Sequence, residues 1–355
     1  MITSETFRET FLKPMATTLK DIARKLNISV STVSYALNGG SRSVPEKVRL
    51  AVIEVAREMN YRPNRIARSM ITGRNHVIGV VPPEMYDNLF LSPYLQLALN
   101  GITNEAGHLH QDLLIYTRYS ETDGHAIADT ILDGRVDGVI FISPHVGQTA
   151  VRRISDFGLP CVTVGGVDQE GIPSFRVDNS GGISMLVRHL LDLGHRRIAH
   201  IAGLLNMDDA IVRLQAYQNA MLQAGLPAPD EYVVKGRFDI AGGFRAMNEL
   251  LDLPTPPTAV CCANDEMAIG AIQAVLARGL KVPDDMSVTG FDMTPNSEVV
   301  PPGITTVRQP ITELAGEAMQ AVFQMIEGKE CPPSKVLPTE LIVRGSTSRP
   351  KEDLS

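Results

Sequence analysis

At 355 residues, with 44% apolar and 21% charged side chains, the chain exceeds one ordinary domain and has the composition of a globular protein. No apolar run reaches membrane-span length, and the four cysteines (Cys161, Cys261, Cys262, Cys331) lack metal-ligand spacing, which argues against a membrane anchor, a disulfide framework and a metal centre. Residues 16–75 hold eleven Lys/Arg and four Asp/Glu, net +7; the whole chain is −7, so the remainder carries −14, and any polyanion footprint belongs to the N-terminal block.

Residues 1–14 contain no clear element, so the expectation is a disordered extension over 1–15 or a start at Met15. Residues 18–38 read TLKDIARKLNISVSTVSYALN. Thr18 and Asp21 fit a capping box, and Leu19, Ile22, Ala23 and Leu26 recur at helical spacing. Asn27-Ile28-Ser29 breaks that helix, and Ser29 can cap a second one over about 30–38. Val33, Ala36 and Leu37 would face inward, leaving Val30, Ser31, Ser34 and Tyr35 outside. Gly39-Gly40 ends the helix at little steric cost. Pro45 suits the first turn of a third helix, whose Val48, Val52, Val55 and Ala56 would close a small core. Two short helices around a tight polar turn, the second rich in hydroxyls, make a helix-turn-helix, the motif that sets its second helix in the DNA major groove.

From residue 77 apolar runs alternate with amphipathic stretches. Strands are expected at 77–81, 112–117, 138–143, 161–165, 197–203, 259–263 and 287–292, and helices at 94–106, 181–193, 210–224, 241–251, 265–278 and 310–327. Strands separated by helices mean parallel sheets, and the length allows two. Ligands in such sheets bind beyond the carboxyl ends of the strands. Arg213, Asn264 and Asp292 stand near such ends, and a fixed guanidinium beside a carboxylate suits a polyhydroxylated ligand. Each has another reading. Asn264-Asp265 could cap a helix, Asp292 could sit in a turn, Arg213 could pair with Asp208 or Asp209, and Phe238 could be core.

After the third helix the chain reads MNYRPNRIARSMITGRNHVIGVV, with Tyr61, Pro63, Asn64, Ala67 and Arg68 in order; later come CANDEMAIGAIQAVLARGLKVPDDMSVTGFD and LPTELIVRGST. From about Thr18 to Thr347 the chain resembles the lactose-repressor (LacI/GalR) family of bacterial transcriptional regulators. The resemblance implies an all-α helix-turn-helix headpiece plus an α/β two-lobed, periplasmic-binding-protein-like core of two parallel sheets flanked by helices. It divides the chain into a headpiece at 16–62, a hinge helix and linker at 63–76, and a core at 77–350. One lobe would hold about 77–176 and 308–335, the other about 177–307 and 336–350.

On that resemblance, Val30, Ser31 and Tyr35 read bases, while Thr32, Ser34, Asn38 and Arg42 contact phosphates. Thr18 and Ser29 are counted with them as DNA contacts. Asn64, Ala67, Arg68 and Met70 would face the minor groove, Met70 replacing the usual Leu wedge. A hinge helix so short does not hold alone in water, so it is expected to form only on DNA and in a dimer. Arg213, Phe238, Asn264 and Asp292 are implied effector contacts, with Tyr86, Asn88 and Phe90 in the loop after the first strand. Met293 replaces a second Asp common in the family, Ala216 a Gly, and Gly165-Gly166 stand where relatives often carry a polar ligand residue.

The implied protein is a dimeric repressor of a palindromic operator, controlled by a small molecule, a carbohydrate first and a nucleobase second. No cofactor, metal or catalytic residue is expected. The nucleophile-elbow, phosphate-loop and H-E-x-x-H patterns are all missing, which argues against an enzyme. A secreted sugar receptor would need an export signal and would leave the basic headpiece unexplained, so a cytoplasmic location is expected.

Overall fold

The computed structural model describes residues 17–38, 43–62, 69, 73–83, 91–117, 124–166 and 169–351. The chain forms two compact units, divided between Asn75 and His76. The expectations for residues 1–15 and for most of 63–76 lie outside the described residues.

The first unit contains three helices: α1 (Leu19–Leu26), α2 (Val30–Asn38) and α3 (Glu46–Glu58). The Asp21 carboxylate closes the start of α1 by accepting from the Thr18 N–H (2.9 Å) and the Thr18 hydroxyl (2.7 Å). Asn27 then turns left-handed, and its N–H reaches back to the Ala23 and Arg24 carbonyls, which ends α1. Ser29 caps α2 by accepting from the Thr32 N–H at 3.0 Å. Pro45 sits one position earlier than expected, at the N-cap of α3 rather than in its first turn. Ile22, Ala23, Val33, Ala36, Val52, Val55 and Ala56 form the buried core. Each large aliphatic there contributes roughly 1.5–3 kcal/mol of burial, which makes so small a bundle dependent on Ile22, Val33 and Val52.

The second unit is built on two parallel sheets. In the first, β1 (Val77–Val81), β2 (Asp112–Ile115), β3 (Gly138–Ile142), β4 (Cys161–Val164), β5 (Ser174–Val177) and β11 (Lys335–Leu337) lie in the order β11-β5-β4-β3-β1-β2. Helices α4 (Pro93–His108) and α12 (Ile311–Ile326) cover one face, and α5 (Gly124–Ile131) and α6 (Thr149–Asp156) the other. In the second, β6 (Ile198–Ala202), β7 (Val233–Lys235), β8 (Ala259–Cys262) and β9 (Ser287–Thr289) lie in the order β7-β6-β8-β9. Here α7 (Asn179–Asp192) and α8 (Asp208–Gln223) cover one face, and α9 (Ile240–Leu251) and α10 (Asp265–Ala277) the other. A short helix, α11 (Pro295–Val299), follows β9, and β10 (Thr306–Arg308) pairs antiparallel with β12 (Glu340–Ile342). Strands buried on both faces explain the unbroken apolar runs VIGVV, GVIFI and AVCC.

The chain passes between the sheets at β5–α7, β10–α12 and β11–β12. Cys261 and Cys262 are buried thiols inside β8, as their apolar surroundings suggested. Glycine is required where α9 and α10 cross: a Cβ on Gly270 would lie 2.0 Å from the Ile240 carbonyl oxygen.

Candidate functional site

In the first unit, α2 presents its outer face without a single charged residue. Val30 is 40% exposed, Ser31 is exposed, and Thr32, Ser34 and Tyr35 are half-buried. The hydroxyls of Ser31 and Thr32 both meet Ser29 Oγ, at 2.7 and 2.8 Å, so the start of α2 carries a ring of three hydroxyls. Thr18 stands at the start of α1, and Asn38 ends α2. Arg42, Asn64, Ala67, Arg68 and Met70 lie outside the described residues.

In the second unit a cleft opens where the carboxyl ends of both sheets face each other. Pro83 and Ser143 follow β1 and β3, and Tyr94 stands in the first turn of α4. From the second sheet come Met207, Asp209 and Arg213 at the start of α8, Phe238 after β7, Asn264 after β8 and Asp292 after β9. Four sequence-derived positions, Arg213, Phe238, Asn264 and Asp292, thus line one cavity. Tyr86, Asn88 and Phe90 lie outside the described residues.

Arg213 is the centre of the site. It is 4% exposed, its Nε donates to Asn179 Oδ1 (2.7 Å) and its Nη1 to the Ala263 carbonyl (2.6 Å). Nη1 also lies 3.5 Å from Asp292 Oδ1, and the guanidinium carbon stands 3.9 Å over the Phe291 ring. Asp292, not Asp208 or Asp209, is therefore its carboxylate partner. Burial pushes the Asp292 carboxyl up; Arg213 opposes this, as does the Gln309 amide that donates to Asp292 Oδ1. The nearby carboxyls of Asp265 and Glu266 add to the upward push, so the net direction is up.

Asn264 is heavily committed to the fold. Its Oδ1 caps α10 by accepting from the Met267 N–H at 3.0 Å, and its Nδ2 donates to the Phe238 carbonyl (3.0 Å) and to Glu266 Oε2 (3.2 Å). The capping alternative is what the geometry displays, and the same bonds fix the backbone that carries Phe238. The Phe238 ring rests on Gly203: a Cβ there would fall 2.0 Å from its Cζ. Asp265 faces away from the cleft, accepting from the Thr294 N–H (2.7 Å) and the Thr306 hydroxyl (2.6 Å).

Composition and periodicity had not singled out Pro83, Tyr94, Ser143 or Met207, and Asp209 had figured only as a partner for Arg213. Ser143 Oγ donates to Tyr94 Oη at 3.4 Å, and burial followed by the Asp209 carboxylate pushes the Tyr94 phenol up, so it stays a donor. The one signal that could have found them is position: Pro83 and Ser143 fall within two residues of a strand's carboxyl end. Ser143, Phe238, Asp292 and Met293 have φ of +45°, +59°, +115° and +59°. Left-handed backbone at non-glycine residues is costly and gathers at functional sites.

The sequence profile of bacterial regulatory proteins, lacI family, matches residues 18–64, and that of the periplasmic binding protein-like domain matches residues 187–347. The chain is 34% identical over 335 residues to a Bacillus subtilis protein named "Probable HTH-type transcriptional repressor ExuR", covering 94% of this chain and 98% of that one. The chain belongs to the lacI family of bacterial regulatory proteins. This lacI-family chain is also 32% identical over 335 residues to the HTH-type transcriptional repressor CytR of Escherichia coli, covering 94% of this chain and 96% of CytR. Two solved structures share its fold. A lac repressor dimer bound to operator and the anti-inducer ONPF matches with a TM-score of 0.83 at 28% identity, over 94% of this chain and 99% of that one. A complex of the regulator CelR with cellobiose matches with a TM-score of 0.72 at 31% identity, over 93% and 99%. The lacI-family protein is thus a transcriptional regulator and not an enzyme, with a helix-turn-helix unit and a two-lobed α/β core.

Proposed function

We propose that the chain is a dimeric repressor of a palindromic operator whose grip on DNA is set by an uncharged, polyhydroxylated effector in the cleft between the two sheets. The observation that carries this is the Asp209–Arg213–Asp292 array beside the Phe238 ring. Carboxylate oxygens accept from sugar hydroxyls, the remaining guanidinium N–H groups donate to them, and the ring covers an apolar C–H face. Among the described lining residues the single cation is already matched by carboxylates, so a sugar acid finds no uncommitted positive charge. The cellobiose complex of CelR is in keeping with a neutral sugar.

In this reading Val30, Ser31 and Tyr35 contact base edges, and Thr18, Ser29, Thr32, Ser34, Asn38 and Arg42 hold the backbone. Asn64, Ala67, Arg68 and Met70 form the hinge face, and Tyr86 and Phe90 join Arg213, Phe238, Asn264 and Asp292 around the effector. Such a regulator would act in the cytoplasm, where the DNA is. A dimer matches a two-fold site because both share one symmetry.

A thermal-shift screen of the full chain against neutral sugars, sugar acids and purine nucleosides tests the effector. At about a hundred times its dissociation constant a ligand stabilises by roughly 2.7 kcal/mol. A neutral sugar is the expected hit; a response to sugar acids or nucleosides alone overturns the reading. Tyr35→Ala is expected to reorder affinities across operator variants in a binding titration, and an unchanged ranking refutes its base-reading role.

A further inference from the structure

Asn179 is the first residue of α7, two residues after β5, where the chain leaves one sheet for the other. It is buried and 5% exposed. It does not line the cleft but bonds to two residues that do. Its Oδ1 accepts from Arg213 Nε at 2.7 Å, and its Nδ2 donates to Asp209 Oδ1 at 2.8 Å.

The neighbouring backbone is stitched to another crossing. The Asp178 N–H donates to the Leu337 carbonyl at 3.0 Å, and the Asp178 carbonyl accepts from the Thr339 hydroxyl at 3.2 Å. Gln309 repeats the arrangement at the β10–α12 crossing, where its amide donates to Asp292. Two of the three passages between the sheets thus place a carboxamide on a charged group of the cleft. The choice of carboxamide is chemical: one planar group both accepts from a cation and donates to an anion. A carboxylate at the same place would face Asp209 as a like charge, and a hydroxyl would reach one side only.

We propose that Asn179 is a positioning residue of the effector cleft, a clamp that holds Arg213 and Asp209 at a fixed separation and ties both to the crossing between the sheets. The proposal rests on the cleft's being the effector site. Ligand that draws Arg213 or Asp209 would draw on Asn179, and Asn179 is continuous with the segment that crosses from one sheet to the other.

The test uses the full chain without added ligand. The Arg213 Nε–H signal is followed by nitrogen-edited NMR, identified by its loss in Arg213→Lys, beside the thermal midpoint. Asn179→Ala is expected to shift that signal and speed its exchange at least about tenfold, since its acceptor is gone. Asn179→Asp carries the sharper expectation. Arg213 and Asp209 on α8 and Asp292 after β9 are the charged groups around it. Two carboxylates at hydrogen-bond distance cannot both ionise cheaply, so one holds a proton as the pH falls. The protonated acid then donates to Asp209 and accepts from Arg213, as the amide did. At pH 5 Asn179→Asp should match the parent in signal and midpoint; at pH 8 it should lose the protected signal and melt at least about 4 °C lower.

If Asn179→Asp tracks the parent at both pH values, the clamp is refuted. If it fails equally at both, including by not folding, Asn179 is only a packing element and the proposal falls as well. Folding at pH 5 but not at pH 8 supports it. Because no sugar is added, failure here leaves the effector reading standing, and a barren sugar screen leaves the clamp standing.

Discussion

Removing Arg213 is the most informative single change in the core. Arg213→Met keeps a long apolar side chain and deletes the guanidinium together with its contact on the Phe291 ring. Asn179 Oδ1 and the Ala263 carbonyl then lose donors at 2.7 and 2.6 Å, and Asp292 loses its cation at 3.5 Å. Stranding a buried carboxylate costs about 3–5 kcal/mol. Burial already pushes the Asp292 carboxyl up, so without Arg213 it takes a proton in the folded state. A carboxyl raised in the folded state contributes stability below its folded value and loses it as the pH rises through that value. Arg213→Met should therefore be least destabilised in mild acid and most at pH 8. Asp292→Asn alone should cost about 1–3 kcal/mol, and the double variant should fall short of the sum by at least about 1 kcal/mol. Urea unfolding of the four proteins at pH 5.5 and 8 measures this cycle. Strict additivity, or a cost of Arg213→Met that does not change with pH, refutes the coupling of the pair.

Glu266 lies beneath the cleft, and burial followed by Asp265 pushes its carboxyl up to about 7, while burial pushes Asp265 to about 6. Both are raised, so the parent should lose stability between about pH 5 and pH 8, and Glu266→Gln should remove on the order of 2 kcal/mol of that slope in melts across the range. Gly270→Ala sets a methyl 2.0 Å from the Ile240 carbonyl oxygen and 2.6 Å from the Phe244 nitrogen, so prising α9 from α10 should cost about 1–3 kcal/mol in urea unfolding. Gly203→Ala forces the Phe238 ring off its seat without altering a polar group of the cleft. It should weaken sugar binding at least about tenfold by calorimetry while DNA binding without effector is kept, and unchanged affinity would count against the stacking role.

The long elements were legible because periodicity needs length to register. The seven apolar runs read as strands are strands, six of them trimmed at their ends and 77–81 unchanged, and the six amphipathic stretches are helices within a residue or two of their expected bounds. The unread strands β5, β7, β10, β11 and β12 have three or four residues each, and each carries a charged residue: Arg176, Lys235, Arg308, Lys335 and Glu340. Their sheet partners hold them, so no local pattern announces them. Helices α5 and α6, eight residues each, fell below the same threshold. In the cleft, Arg213 and Asp292 were visible as charges beside apolar runs. Tyr94 and Ser143 belong to the other lobe and meet the site only after both sheets have formed. The left-handed backbone of Phe238 left no trace in composition, since an aromatic residue does not favour it.

The threading of the core carries a consequence for its synthesis. Strand β5 receives its outer neighbour, β11, from a segment translated about 160 residues later, and the Ser174 N–H donates to Ser334 Oγ across that interval. Until then a nascent chain on the ribosome displays β5 as an open edge. It also displays the apolar face of the first sheet that α12 covers, while β10 waits for β12. Contacts so distant in sequence form slowly, because their loop entropy is lost before any pairing offsets it. The first lobe therefore cannot complete its sheet until β11 has been made, and until then its open edge and apolar face are available to wrong partners.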